Sequence, residues 1–189
     1  MSSRPVSPVT ETIEKNPVLR RKMNRFGMSM FILSQVIPLI VLIDVRYLFV
    51  GLYVSPHLDQ GVGLASALFM LLSMVVAWQV KTRAARGEDL TPRLKWVLLL
   101  GALALLALFY QWSWRLVSPA DRFGEVYYTM TGFAVFYAVV GLVGLLSALS
   151  RARFQLPDPD DTWHLEAVSY LWTGIGLIWV LTYVVLFLI

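Results

Sequence analysis

Five long apolar runs constrain this chain more than any other feature. They cover about residues 25–54, 61–80, 94–114, 125–150 and 163–189. A helix needs about 20 apolar residues to cross the roughly 30 Å hydrocarbon core of a bilayer. Each run is long enough, and the stretches between them are short and polar. The chain is 58% hydrophobic with a mean hydropathy of +0.66, against roughly 45–50% apolar residues in soluble domains. The expected fold is therefore all-α: a polytopic membrane protein built as a bundle of five transmembrane helices. Residues 1–24 read as a basic segment ahead of a membrane domain over 25–189. The first run exceeds what a crossing needs, so it should tilt or protrude. Pro38 inside it should bend the helix.

Charge sets the expected orientation. Thirteen of the 16 Lys and Arg residues fall in the N-terminal segment and in the second and fourth connections. Only Arg46, Arg115 and Arg122 fall on the other side. A positive-inside bias of this size predicts a cytoplasmic N-terminus and, after five crossings, a C-terminus outside. The net charge of +4 is thus a topology signal and not a nucleic-acid footprint. Basic residues sit in short loops beside the spans, without the aromatic interleaving that single strands require. The chain has no cysteine, which excludes disulfides, thiolate metal sites and iron–sulfur clusters. Its two histidines, His57 and His164, fall at different ends of the topology and do not suggest a metal or haem site.

Polar residues inside spans are the first candidates for function. Gln35 can bond between helices, and it cannot titrate. Asp44 and Arg46, two apart, do not share a helix face. Arg46 is expected to form an ion pair with a neighbouring helix or a partner subunit, or else to snorkel to the interface. Gln79 and Gln111 read as interfacial, Trp78 as part of an aromatic belt. Ala134 and Ala138 form a small-xxx-small pair suited to close helix packing. Glu166 lies about a turn inside the last helix, where an acid suits the positive end of the helix dipole. Asp161 or Thr162 can cap that helix, after the acidic, proline-bearing stretch 155–163. No nucleophile–base set and no phosphate loop is visible. The residues thus describe a helical bundle without a catalytic centre, either an accessory subunit or a carrier of small lipophilic molecules.

The order of motifs resembles the five-helix form of haem–copper oxidase subunit III over about residues 25–189. Gly27, Met28, Phe31, Ser34 and Tyr47 follow that family's first span. The second span has a similar serine-containing run before a basic loop. Gly101 and Gln111 follow the third span, Thr131-Gly132 the fourth, and Glu166, Trp172 and Trp179 the fifth. The departures fall on ionisable positions. Gln35 stands where the family has an acid, Phe133 and Phe136 where it has histidines, Thr173 and Gly176 where it has a histidine and an aspartate. Of the family's intramembrane ionisable set, Glu166 is what remains.

The resemblance implies a non-catalytic accessory subunit of a respiratory haem–copper oxidase. It would serve aerobic electron transport in the plasma membrane of a bacterium. Haem and copper would reside in partner subunits, and this chain would bind no metal or cofactor itself. Its partners would be the catalytic subunit, other subunits and phospholipids, with no nucleic acid. The first two spans would form one arm of a lipid-holding cleft and the last three the other, with Gln35, Arg46, Trp78 and Glu166 as candidate lining residues. An accessory subunit of a nitric oxide reductase, or a free-standing small transporter or scaffold, are the alternatives.

Overall fold

The computed structural model describes residues 16–154, apart from 85, 87 and 116, and residues 162–189. Five helices long and apolar enough to cross a membrane account for almost all of them, and no strand occurs among the described residues. They are α1 (Pro17–Val50), α2 (Gln60–Ala84), α3 (Thr91–Ser113), α4 (Arg122–Phe154) and α5 (Trp163–Tyr183). A π-helical turn, Val184–Leu188, continues α5. These are the attributes of a multi-pass membrane protein.

The helix ends differ from the apolar runs because capping chemistry, not hydropathy, sets them. α1 starts eight residues before its apolar run. Asn16 accepts the amides of Val18 and Leu19 at 3.1 and 3.2 Å, and Pro17 occupies the first turn, where its missing N–H costs nothing. α1 also ends at Val50 and not Val54. Gly51 follows with φ +64°, a conformation that glycine adopts without strain. At about 51 Å, α1 is longer than the bilayer core is thick. At α2, Asp59 Oδ1 takes the Val62 amide at 3.1 Å. Asp89 Oδ1 takes the Thr91 amide at 2.9 Å before α3, a bond that holds its carboxyl below the usual carboxylate value. Thr162 occupies the position before α5, but its side chain bonds no amide there. Asp161 lies outside the described residues, as do 1–15 and the acidic stretch 155–161.

The α1–α2 and α3–α4 connections and the π turn gather at one end of the bundle, the far end. The other end gathers the start of α1, the α2–α3 connection, the end of α4 and the start of α5. It carries Arg20, Arg21, Lys22, Arg25, Arg83, Arg86, Arg93, Lys95, Arg151 and Arg153 and is called the basic end below. Around Glu88, Arg83 lies at 3.1 Å, Arg86 at 3.8 Å and Arg93 at 4.0 Å.

The arms of the bundle are not those the resemblance implied. α2 does not pair with α1; it packs chiefly against α3 and α5, and α1 lies against α4 and α5. The small and hydroxylic faces of α2 explain this. A Cβ at Gly63 would collide with the Phe187 ring, and Met74 of α2 sits against Gly176 of α5. α5 is therefore central and α1 peripheral. Of the most apolar stretch of each, 56% is buried within the protein for α5 and 6% for α1.

Candidate functional site

Without a hydrophobic drive between helices in lipid, association depends on close packing and interhelical hydrogen bonds. The polar side chains singled out in the sequence are deployed in that way. Three of them fasten α1.

The contact face of α1 follows a repeat of four and three residues. Arg21, Arg25, Met28, Ile32, Gln35, Leu39, Leu42 and Arg46 are all at least partly covered, whereas most residues between them are exposed. This is the narrow seam of a coiled coil. Leu39 is fully buried, and Ile32 fits against Gly174, where a Cβ would lie 2.7 Å from Ile32 Cγ2.

At the basic end, Glu166 is 4% exposed. Arg25 donates to both its oxygens, Nε to Oε2 at 2.9 Å and Nη2 to Oε1 at 3.1 Å. Arg21 Nε stands 3.8 Å away, and Thr162 Oγ1 donates to Oε1 at 3.4 Å. The helix-dipole reading of Glu166 is thus incomplete: a two-pronged ion pair to α1 holds it. Arg21 and Arg25, read from sequence as topology signals only, share a face at i, i+4, which is the signal for this role.

Midway along α1, Tyr137 of α4 donates its hydroxyl to Gln35 Oε1 at 2.5 Å. Gln35 Nε2 donates to Ser34 Oγ at 2.8 Å and to the Phe31 carbonyl at 3.3 Å. Removing the tie by Tyr137→Phe or Gln35→Leu should cost about 0.6 kcal/mol and at most about 1.7 kcal/mol, the range for bonds between membrane helices. Unfolding in a denaturing-detergent titration reads it, and the double variant should cost no more than the larger single one.

At the far end, Arg46 is fully buried. The expected ion pair is not what holds it. Nε donates to the Val185 carbonyl at 3.0 Å and Nη2 to the Tyr53 carbonyl at 3.3 Å, with the guanidinium 5.1 Å from the Tyr47 ring centre. Nη1 is buried and unbonded. The reason lies in α5. The end of a helix presents free carbonyls and a negative dipole, and the π turn aims them at side chains: Gln60 Nε2 takes the Phe187 carbonyl at 3.1 Å. Carbonyls therefore replace the carboxylate. Asp44 is exposed on another face of α1.

Arg25 and Arg46 are about 31 Å apart along the helix. The two arginine ties thus stand one bilayer core apart, with Gln35 near the middle. Glu166 and Arg46, both proposed lining residues, lie at opposite boundaries and share no cleft. Trp78, the fourth candidate, lies half-exposed on α2, away from the α1 seam.

A second set of bonds, unforeseen in the sequence, locks α5 to α2 and α3. Trp172 Nε1 donates to Ser73 Oγ at 2.9 Å, and Ser73 Oγ donates to the Val97 carbonyl at 2.8 Å. Trp179 Nε1 donates to Ser66 Oγ at 3.2 Å, and Ser66 Oγ donates to the Ala104 carbonyl at 2.8 Å. The two relays repeat at seven residues on every helix involved. That shared spacing is visible in the sequence, since Ser66 and Ser73 match Trp172 and Trp179.

Gln111, near the end of α3, is buried within the protein; it accepts the Tyr127 hydroxyl at 2.8 Å and donates to the Asp59 carbonyl at 2.8 Å. Beside it, a cavity of about 20 Å³ lies among Ser66, Gln111, Thr131, Trp179 and Thr182, room for one water. Ala134 and Ala138 are buried as their spacing predicts. His57 belongs to the far-end loop, and His164 starts α5. Among the described residues, no three His, Cys, Asp or Glu side chains gather where they could hold a metal ion. No protein-family model matches the chain, and no curated protein matches its sequence.

Proposed function

We propose that this chain is a non-catalytic accessory subunit, subunit III-like, of a respiratory haem–copper oxidase. It lies in the plasma membrane of a bacterium, with the basic end and N-terminus cytoplasmic and the C-terminus outside. It supports assembly, lipid binding and stability of a catalytic subunit in aerobic electron transport. The supporting observation is how its intramembrane polar groups are used. Gln35, Gln111, Ser66, Ser73, Trp172, Trp179 and Glu166 each bond another helix. A side chain held in such a bond serves packing, whereas a carrier needs polar groups turned toward a site near the midplane. The order of family-like motifs in the sequence supports the choice of partner, and the haem and copper are assigned to that partner. The peripheral α1, with Phe26, Met30, Phe31, Leu33 and Ile37 exposed, offers an apolar face to it.

The test is purification of the tagged full chain in mild detergent, with protein identification of what accompanies it. The expected result is a larger haem-bearing membrane subunit at constant stoichiometry. A reductase catalytic subunit in its place would keep the accessory role and change the enzyme. A solitary chain would overturn the reading.

A further inference from the structure

The two far-end connections enclose a cleft of about 420 Å³ that none of the ties described above fills. This lies within the roughly 300–1,000 Å³ typical of small-molecule sites. The α1–α2 connection forms one wall, with Tyr53, Ser55 and His57. The α3–α4 connection and the start of α4 form the other, with Ser118, Asp121 and Arg122. Phe123 is the buried apolar floor, and the Tyr53 ring meets it edge-on at 5.8 Å.

Both walls are fixed by bonds of their own. Ser55 takes the His57 amide on Oγ at 3.3 Å and the Leu58 amide on its carbonyl at 3.2 Å, while Arg46 holds the Tyr53 carbonyl at 3.3 Å. On the opposite wall the Tyr128 hydroxyl donates to the Val117 carbonyl at 3.1 Å. Ser118 takes the Ala120 amide on Oγ at 3.3 Å and the Asp121 amide on its carbonyl at 3.3 Å. That carbonyl rests on the first turn of α4, where a Cβ at Gly124 would collide with it. A preformed cleft binds without the cost of ordering its walls.

The charges in the cleft select its occupant. Asp121 and Arg122 are neighbours in sequence and both are exposed. Successive residues at the start of a helix do not face each other. Among the described residues neither makes an ion pair. One opening thus offers an anion and a cation side by side, each unneutralised. A simple anion or cation satisfies one and is repelled by the other, whereas a zwitterion satisfies both. The floor adds a third requirement. Phe49, Tyr53 and Phe123 present aromatic surface, and aromatic rings favour offset or edge-to-face partners. We infer that the far-end cleft binds a zwitterionic aromatic amino acid. Its carboxylate meets Arg122, whose guanidinium can donate two parallel bonds. Its ammonium meets Asp121, and its ring lies on Phe123. The inference needs no partner subunit and stands apart from the accessory-subunit reading.

The test is saturation-transfer NMR of L-phenylalanine with the purified full chain in detergent, with analogues as competitors. The expected result is saturable binding of L-phenylalanine. Phenylpropionate, which lacks the ammonium, and phenylethylamine, which lacks the carboxylate, should each bind about tenfold more weakly, the effect of one charge-assisted hydrogen bond. Glycine, which lacks the ring, should not compete. Asp121→Asn should lower L-phenylalanine to the level of phenylpropionate, and Arg122→Gln to that of phenylethylamine. Both positions are exposed, so the variants should melt like the parent. Undiminished binding in both variants would place the amino acid elsewhere. An absence of saturable binding, or equal binding of the three aromatic compounds, would show partition into detergent only. Each of these results would overturn the site.

Discussion

Trp172→Ala should be among the most damaging single substitutions in this protein, costing about 3–5 kcal/mol. Trp172 is fully buried, the largest side chain so placed. It occupies a socket made by two glycines. A Cβ at Gly101 would lie 2.5 Å from its Cζ2, and one at Gly141 would lie 2.7 Å from its Cε3. Truncation leaves a cavity that three helices cannot collapse into, because the Trp179 relay still spaces them. It also removes the only donor Trp172 gives to Ser73. Trp172→Phe should cost less, since it retains most of the volume and loses the N–H bond. Denaturing-detergent titration of the purified chain measures both. A cost for Trp172→Ala below about 1 kcal/mol, the level of a single net hydrogen bond, would mean that the socket does not exist.

Arg25→Glu should have the second large effect, about 3 kcal/mol. This is the lower edge for breaking a buried ion pair, because the Arg25 side chain is 42% exposed while that of Glu166 is only 5% exposed. The new carboxylate would face Glu166 and remove its two-pronged partner, while Arg21 Nε stands farther off, at 3.8 Å. The exchange Arg25→Glu with Glu166→Arg should restore most of the loss, since the pair is reformed in reverse. Glu166→Gln should be milder, because an amide oxygen still accepts from Arg25. If the chain joins an oxidase, this last variant should weaken assembly modestly and leave turnover per assembled complex unchanged. A large loss of turnover with normal assembly would instead make Glu166 a proton-carrying group.

The number and type of elements were legible from hydropathy alone, because lipid admits helices here and little else. Their ends were not, since Asn16-Pro17 and Gly51 act through backbone geometry and not through apolarity. The partners of each helix were less legible still. Five apolar helices can be arranged in many ways, and what separates them is side-chain fit: Phe187 against Gly63, Ile32 against Gly174, Trp172 between Gly101 and Gly141. The arm formed by α1 and α2 came from the resemblance alone, and the fit places α2 with α3 and α5. Glu166, Arg46 and Gln35 were found as intramembrane polar residues, yet not their partners. Arg25 looked like a topology charge, Tyr137 was not singled out, and the Val185 carbonyl carries no sequence signal at all. The Ser66–Ser73 and Trp172–Trp179 match was readable as a shared seven-residue spacing.

The most direct test of the functional account is a reduced-minus-oxidised optical spectrum of the complex that accompanies the tagged chain in mild detergent. The account predicts haem bands in constant proportion to this chain, contributed by a larger subunit. A colourless preparation in which the chain is intact, folded and alone would contradict it and leave the five-helix bundle as a statement about fold.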